Sequence, residues 1–433
     1  MVGVAGGWGA GLTGADWEGM MIRMDRPARA RVLGAVLASA QLLLFAWCRA
    51  ADAQQFIPAS TFAPINLGAA LARENLRNLS LLPPVSNPGV SWELDPALDT
   101  YVPRHEEISS GIIDAPRFNR KGGLSLAVSF AYYHLDQLDG EDSTAIVVRA
   151  PSDRFNPQST PVNLGIATQA KADVTLTRFS ARYTLLDRLD FGIAIPLVTV
   201  DVRTRFVEQN LSGGQIGQFV HDGTKSPNNG NTLIDRHLNG VDFPGSFNEG
   251  LNFDVGNIIL DSKWGWAPPV QGLTLGVLGA LRLPSGSESH FTGTDTTSLK
   301  GVAMLDYEMH EFAFYLNGGY EYDFDQQQLS NGIVGGSVAY RPRSRVVLET
   351  GVRANFYQKD IDLYDSSKFA QSVPGTQVIA GNSKLGVNEA TIIGGARFNA
   401  YENLTGSLYL SGPITPDGFR SDVALFLSLD YSL

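Results

Sequence analysis

Residues 422–433 read DVALFLSLDYSL, and their alternation decides the fold. Val423, Leu425, Leu427, Leu429, Tyr431 and Leu433 share one face of an extended chain; Asp422, Ser428, Asp430 and Ser432 share the other, with Phe426 the exception. Successive side chains of a strand point to opposite sides, so this segment is apolar along one face and polar along the other. At roughly ten residues or more, that is how a strand crosses a membrane in a closed barrel, one face in lipid and one in the lumen.

The same alternation recurs upstream. Leu124, Leu126, Val128, Phe130 and Tyr132 form a stripe, as do Phe191, Ile193, Ile195 and Leu197. Others run along Leu273, Leu275, Val277, Leu281 and Leu283, along Phe312, Phe314, Leu316, Tyr320 and Tyr322, and along Val346, Leu348, Val352 and Phe356. About twelve strands are expected, at 122–134, 172–185, 189–203, 252–264, 272–283, 297–308, 312–324, 332–341, 345–357, 388–400, 403–412 and 420–433. Every second connection is short (186–188, 265–271, 309–311, 342–344 and 401–402), whereas 135–171, 204–251 and 358–387 are long. Membrane barrels sort their connections this way, with short periplasmic turns, long external loops and an even strand number that leaves both chain ends in the periplasm. A soluble β-sandwich has no reason to do so. In lipid the sheet must also close, because an edge would expose unpaired backbone groups to hydrocarbon. The expected fold is therefore all-β: a transmembrane antiparallel β-barrel of about twelve strands (twelve to fourteen), covering 122–433 and localised to the bacterial outer membrane.

Closure turns the polar faces inward. Arg178, Arg182, Asp261, Lys263, Arg282, Glu349, Arg353 and Arg397 are the expected lumen-lining residues, joined by Lys300, Asp306, Glu308 and Glu321. Both signs are mixed, which suits either a wetted, weakly selective passage or an ionic network bracing the interior. Tyr307, Tyr340, Phe356, Phe398 and Tyr431 lie near strand ends, where aromatic girdles meet the membrane interface.

Residues 54–121 do not alternate and form an irregular N-terminal segment, periplasmic or a plug. Within it, 69–81 (AALARENLRNLSL) places Ala69, Ala72, Leu76 and Leu79 on one helical face, and Pro83-Pro84 ends the helix. Residues 1–53 read as an over-long start followed by a signal peptide: Arg23, Arg26, Arg29 and Arg31, then the apolar stretch 32–47, then Ala51-Asp52-Ala53 as cleavage site.

Composition agrees with one apolar and one polar surface, at 43% hydrophobic but only 18% charged residues. Cys48, the single cysteine, lies in the export segment, so disulfides, cysteine zinc sites and thiol nucleophiles are not expected. Removing 1–53 takes away five arginines and four acids, moving the net charge from −11 to −12. Nucleic acid is not an expected partner, since phosphate binding needs a basic face. The expected partners are outer-membrane lipid, the barrel-assembly machinery and a small-molecule substrate.

Three stretches look familiar together. Residues 183–196, YTLLDRLDFGIAIP, resemble a hairpin of the outer-membrane transporter family of the phenol-degradation meta pathway type; 254–264, DVGNIILDSKW, and 281–287, LRLPSGS, resemble two of its strands. That family is similar to the long-chain fatty-acid transporter class of barrels. The resemblance implies a channel or facilitated transporter for small compounds, with hydrophobic or aromatic ones suggested by the resemblance alone.

The other function classes have less behind them. Six histidines, at 105, 134, 221, 237, 290 and 310, show no Ser/His or Asp/His spacing of a hydrolase, so an enzyme is not expected. Asp360, Asp362 and Asp365 cluster as calcium ligands do, yet an ordinary solvated loop is the better explanation of them; no metal or cofactor is implied. The alternative function is a surface-exposed structural or adhesive barrel acting through its external loops, of which 204–251 is rich in Gly and Asn.

Overall fold

The computed structural model describes residues 67–82, 91–95, 100–104, 110–116, 121–139, 144–151, 161–186, 188–210, 218–221, 250–288, 290–343, 345–362, 377–381, 384–386, 388–401 and 404–432. The expected export segment 1–53, residues 222–249 of the expected long loop, and Asp365 lie outside them.

Twelve antiparallel strands close into a ring. They are β1 (Leu124–Leu135), β2 (Pro161–Leu186), β3 (Leu189–Asn210), β4 (in two pieces, Gly250–Val255 and Ile259–Trp266), β5 (Leu273–Arg282) and β6 (Ser298–Met309). Then follow β7 (Phe312–Asp323), β8 (Asn331–Arg343), β9 (Val346–Tyr357), β10 (Asn388–Tyr401), β11 (Leu404–Pro413) and β12 (Ala424–Ser432). Each pairs with its sequence neighbours, and β12 returns to β1, with Ser428 opposite Ser129. Each expected strand overlaps one of the twelve. No helix among the described residues is long and apolar enough to cross a membrane.

The outside of the ring is apolar. Trp264, Leu299, Leu316, Leu348, Phe398 and Leu429 are each about half exposed, and their neighbours along each strand are mostly buried. A continuous belt of this kind has no place in water, and on a closed barrel it is the lipid-facing surface of an outer-membrane protein. Phe426, the one break in the closing strand's alternation, points inward and is fully buried.

Three features depart from the sequence reading. First, β2 and β3 continue well past their expected ends, with pairing from Leu186↔Leu189 out to Leu164↔Asn210. Backbone pairing needs no side-chain pattern, so the ladder runs on through 161–171 and 204–210, beyond the length expected of a membrane-crossing strand. Second, residues 91–95 and 100–104 form a two-stranded hairpin inside the segment expected to be irregular; five-residue strands are too short to show a period. Third, β4 is interrupted at 256–258. Opposite the break, β3 carries Pro196, which has no N–H to give; Gly256 N donates to Pro196 O at 2.8 Å. A strand tolerates proline where its ladder is already bulged, so Pro196 and the 256–258 bulge explain each other. Asn257 then turns into the 283–297 connection, its Nδ2 donating to Thr294 O at 3.1 Å while Thr294 N donates to its Oδ1 at 2.8 Å.

Candidate functional site: the occupied lumen

The interior is built where inward strand residues meet the described parts of the N-terminal segment, α1 (Leu67–Leu81) and residues 110–116. Four of the eight expected lumen-lining residues hold that segment directly. Arg178 of β2 donates to Leu79 O at 3.3 Å, and Arg353 of β9 donates to Ser80 O at 2.9 Å. Both acceptors lie in the last turn of α1, whose carbonyls lack intrahelical partners. Lys263 of β4 donates through Nζ to Ala115 O at 3.0 Å. Glu349 of β9 receives Gly111 N at 2.7 Å, Tyr409 Oη at 3.1 Å, Ser337 Oγ at 2.8 Å and the Ser110 hydroxyl. Strands from opposite parts of the ring thus converge on one segment inside it.

The other four sit in the wall network. Arg182 pairs with Asp261 across β2–β3–β4, and a Cβ at the intervening Gly192 would lie 2.7 Å from the Asp261 carboxylate. Arg282 donates to Asp323 at 2.8 Å, Glu321 at 3.1 Å and Ser298 at 2.8 Å. Arg397 is buried beside Gly111, where a Cβ would lie 2.9 Å from its Cδ. The motif stretches that carry the family resemblance supply Asp261, Lys263 and Arg282, so they build the interior as well as the turns.

Sequence reasoning missed the upper part of the site. The polar side of α1 looks like a solvent face, yet Arg73, Glu74, Asn75, Arg77 and Asn78 are all buried. Arg73 lies 3.5 Å over the Tyr357 ring, pairs with Glu389 of β10 at 3.4 Å and donates to Gly386 O at 3.0 Å. Arg77 pairs with Glu74 and, at 3.6 Å, with Glu389. Tyr133 of β1 donates to Asn75 Oδ1 at 2.6 Å, while Asn75 Nδ2 donates to Phe291 O at 2.9 Å. Burial is the largest influence on Glu74 and outweighs Arg77, pushing its pKa up to about 7. For Asp114 burial acts upward too, but Lys300, Arg353, Lys263 and Arg182 together hold it below the usual carboxylate range. The signal for this site was present: a helix carrying two arginines, a glutamate and two asparagines within six residues suits a charged lumen as well as it suits water.

Between the tip of α1 and the wall of β2–β7 lies a cavity of about 120 Å³. Its lining mixes the apolar Leu76, Leu79, Ile112, Ile259 and Leu278 with Arg178, Arg182, Arg282, Lys300 and the acids Asp114, Asp261 and Glu321; Ile259 is the ladder partner of Arg282. Among the described residues no three His, Cys, Asp or Glu come together as a metal site.

No protein-family model and no curated protein matches this chain. Among solved structures, an outer-membrane channel from Pseudomonas putida F1 aligns over 76% of this chain and 100% of its own, at 13% identity and TM-score 0.43. The CymD monoaromatic hydrocarbon channel aligns over 72% and 88%, at 10% identity and TM-score 0.30. A Pseudomonas aeruginosa FadL homologue aligns over 73% and 90%, at 9% identity and TM-score 0.32. At such identities and scores the likeness carries no argument about what this chain does.

Proposed function

We propose that this chain is an outer-membrane channel for small molecules, exported through residues 1–53, inserted by the barrel-assembly machinery and gated by α1 and residues 110–116. The observation behind it is the interior itself. A segment of the chain's own N-terminal part occupies the lumen, held by hydrogen bonds and ion pairs with no covalent tie among the described residues. Such contacts can break and re-form, so the segment can shift within a rigid ring, and the lumen-lining residues then face the solute. Selectivity in such a pore comes from lining charge and width. That the solutes include hydrophobic or aromatic compounds rests on the motifs at 183–196, 254–264 and 281–287.

The test is uptake by proteoliposomes carrying the full chain purified from outer membranes. Small aromatic solutes should enter faster than into protein-free vesicles, and Glu389→Ala, which removes the shared counter-charge of Arg73 and Arg77, should speed entry. A folded barrel with no uptake in either form would rule transport out.

A further inference from the structure

We infer that α1 is hung from the outer side of the barrel by a clasp of three connections with Asp139 as its keystone, so that opening the clasp frees the gate. This rests on the reading of α1 as the gate and names what holds it shut. The connections are β1–β2, β9–β10 and β11–β12, which the alternation of long and short loops places on the outer side. They rise from β9 to β12, β1 and β2, which are neighbours in the ring.

Asp139 follows the outer end of β1 in a left-handed backbone, φ 51°. Its carboxylate accepts Gly418 N of the β11–β12 connection at 2.6 Å and, through both oxygens, Gly386 N of the β9–β10 connection at 3.1 Å. Its own N–H donates to Gly418 O at 2.8 Å. One side chain thus ties three connections, through hydrogen bonds to a charged acceptor, which are the stronger kind. Gly386 takes Asp139 on its N–H and Arg73 of α1 on its carbonyl, the latter at 3.0 Å. Gly418 is left-handed too, φ 91°, and a Cβ there would overlap the carboxylate of Glu389, the acid that Arg73 and Arg77 approach. Two short ladders complete the clasp, Leu138↔Phe419 beside Gln137↔Arg420 and Ile361↔Leu385 beside Asp362↔Lys384. Leu138, Phe419, Ile361 and Leu385 are buried in one core with Ala70 and Leu71 of α1. Asp139 is therefore a positioning residue, acting on α1 through the two glycines. Without its carboxylate, their N–H groups lose their acceptor.

The experiment measures how fast a membrane-impermeant maleimide labels Ala72→Cys, a buried position on α1, in the full-length barrel in detergent with Cys48→Ser. Asp139→Gly removes the carboxylate and suits the left-handed backbone. It should raise the labelling rate by about tenfold to a hundredfold, the worth of one charge-assisted hydrogen bond. Asp139→Asn keeps one uncharged acceptor and should fall between the two. Heat-modifiable gel mobility shows that each variant is folded. An unchanged rate in folded Asp139→Gly overturns the inference. Faster labelling with no change in vesicle uptake refutes α1 as the gate and leaves the clasp standing; uptake by the unaltered barrel with labelling unchanged in Asp139→Gly refutes the clasp alone.

Discussion

At the scale of single residues, Glu389 is the pivot of the interior, because it is the carboxylate that both Arg73 and Arg77 of α1 approach. Removing one partner of a buried ion pair costs about 3–5 kcal/mol, since the charge left behind has no water to replace it. Glu389→Ala is therefore expected to release α1 without unfolding the ring, read as new protease sensitivity at Arg73 or Arg77 in an otherwise resistant barrel. Glu74 adds a pH dependence. Its pKa is about 7 when docked and near the ordinary carboxylate value when α1 is free, so the docked state holds an extra proton between those values. That contribution is complete below about pH 4.5 and is lost as pH rises to about 7, weakening the seat of α1. Channel openings should accordingly be more frequent at pH 8 than at pH 5, and Glu74→Gln should flatten the difference. Gly111 shows a third constraint, steric this time: a Cβ there would overlap Tyr409 Oη. Gly111→Ala must displace Tyr409, and with it one hydrogen bond to Glu349.

At the scale of elements, α1 and the wall differ in how they were written into the sequence. The twelve strands could be read because lipid enforces a strict two-residue period on one face, and a slip of one residue would turn every apolar side chain inward. The loops' sorting by length then gave closure and even number. Inside the barrel no such rule holds. Water, ions, protein side chains and a plug all accept mixed charges, so Arg178, Lys263, Glu349 and Arg353 could be assigned to the lumen but not to their partners in 79–80 and 110–115. Nor does anything in ARENLRN separate a solvent face from one buried against Glu389 and Tyr133. The fate of α1 is set by contacts across hundreds of residues, such as Arg73 to Gly386, and local pattern carries none of that. A direct check is solvent access: Ala72, fully buried, replaced by cysteine in a Cys48→Ser background should resist a membrane-impermeant maleimide. Adding Glu389→Ala should make it reactive.

At the scale of the whole molecule, stability is divided between a ring that lipid forces to close and an interior that ion pairs brace. The belt should behave as lipid-facing surface: Val352→Arg, near mid-strand on β9 and outward-facing, is expected to cost about 2–4 kcal/mol in folding free energy at the bilayer midplane, measured by urea titration in phospholipid vesicles. An occupied lumen within a closed ring is the central claim, and ionic current across a planar bilayer tests it most directly. The full-length barrel should insert and remain silent at neutral pH for most of the record, whereas Glu389→Ala should open in long bursts at the same voltage. A steady, large conductance from the unaltered barrel, equal to that of the variant, would show that the interior is an open pore and would contradict the account.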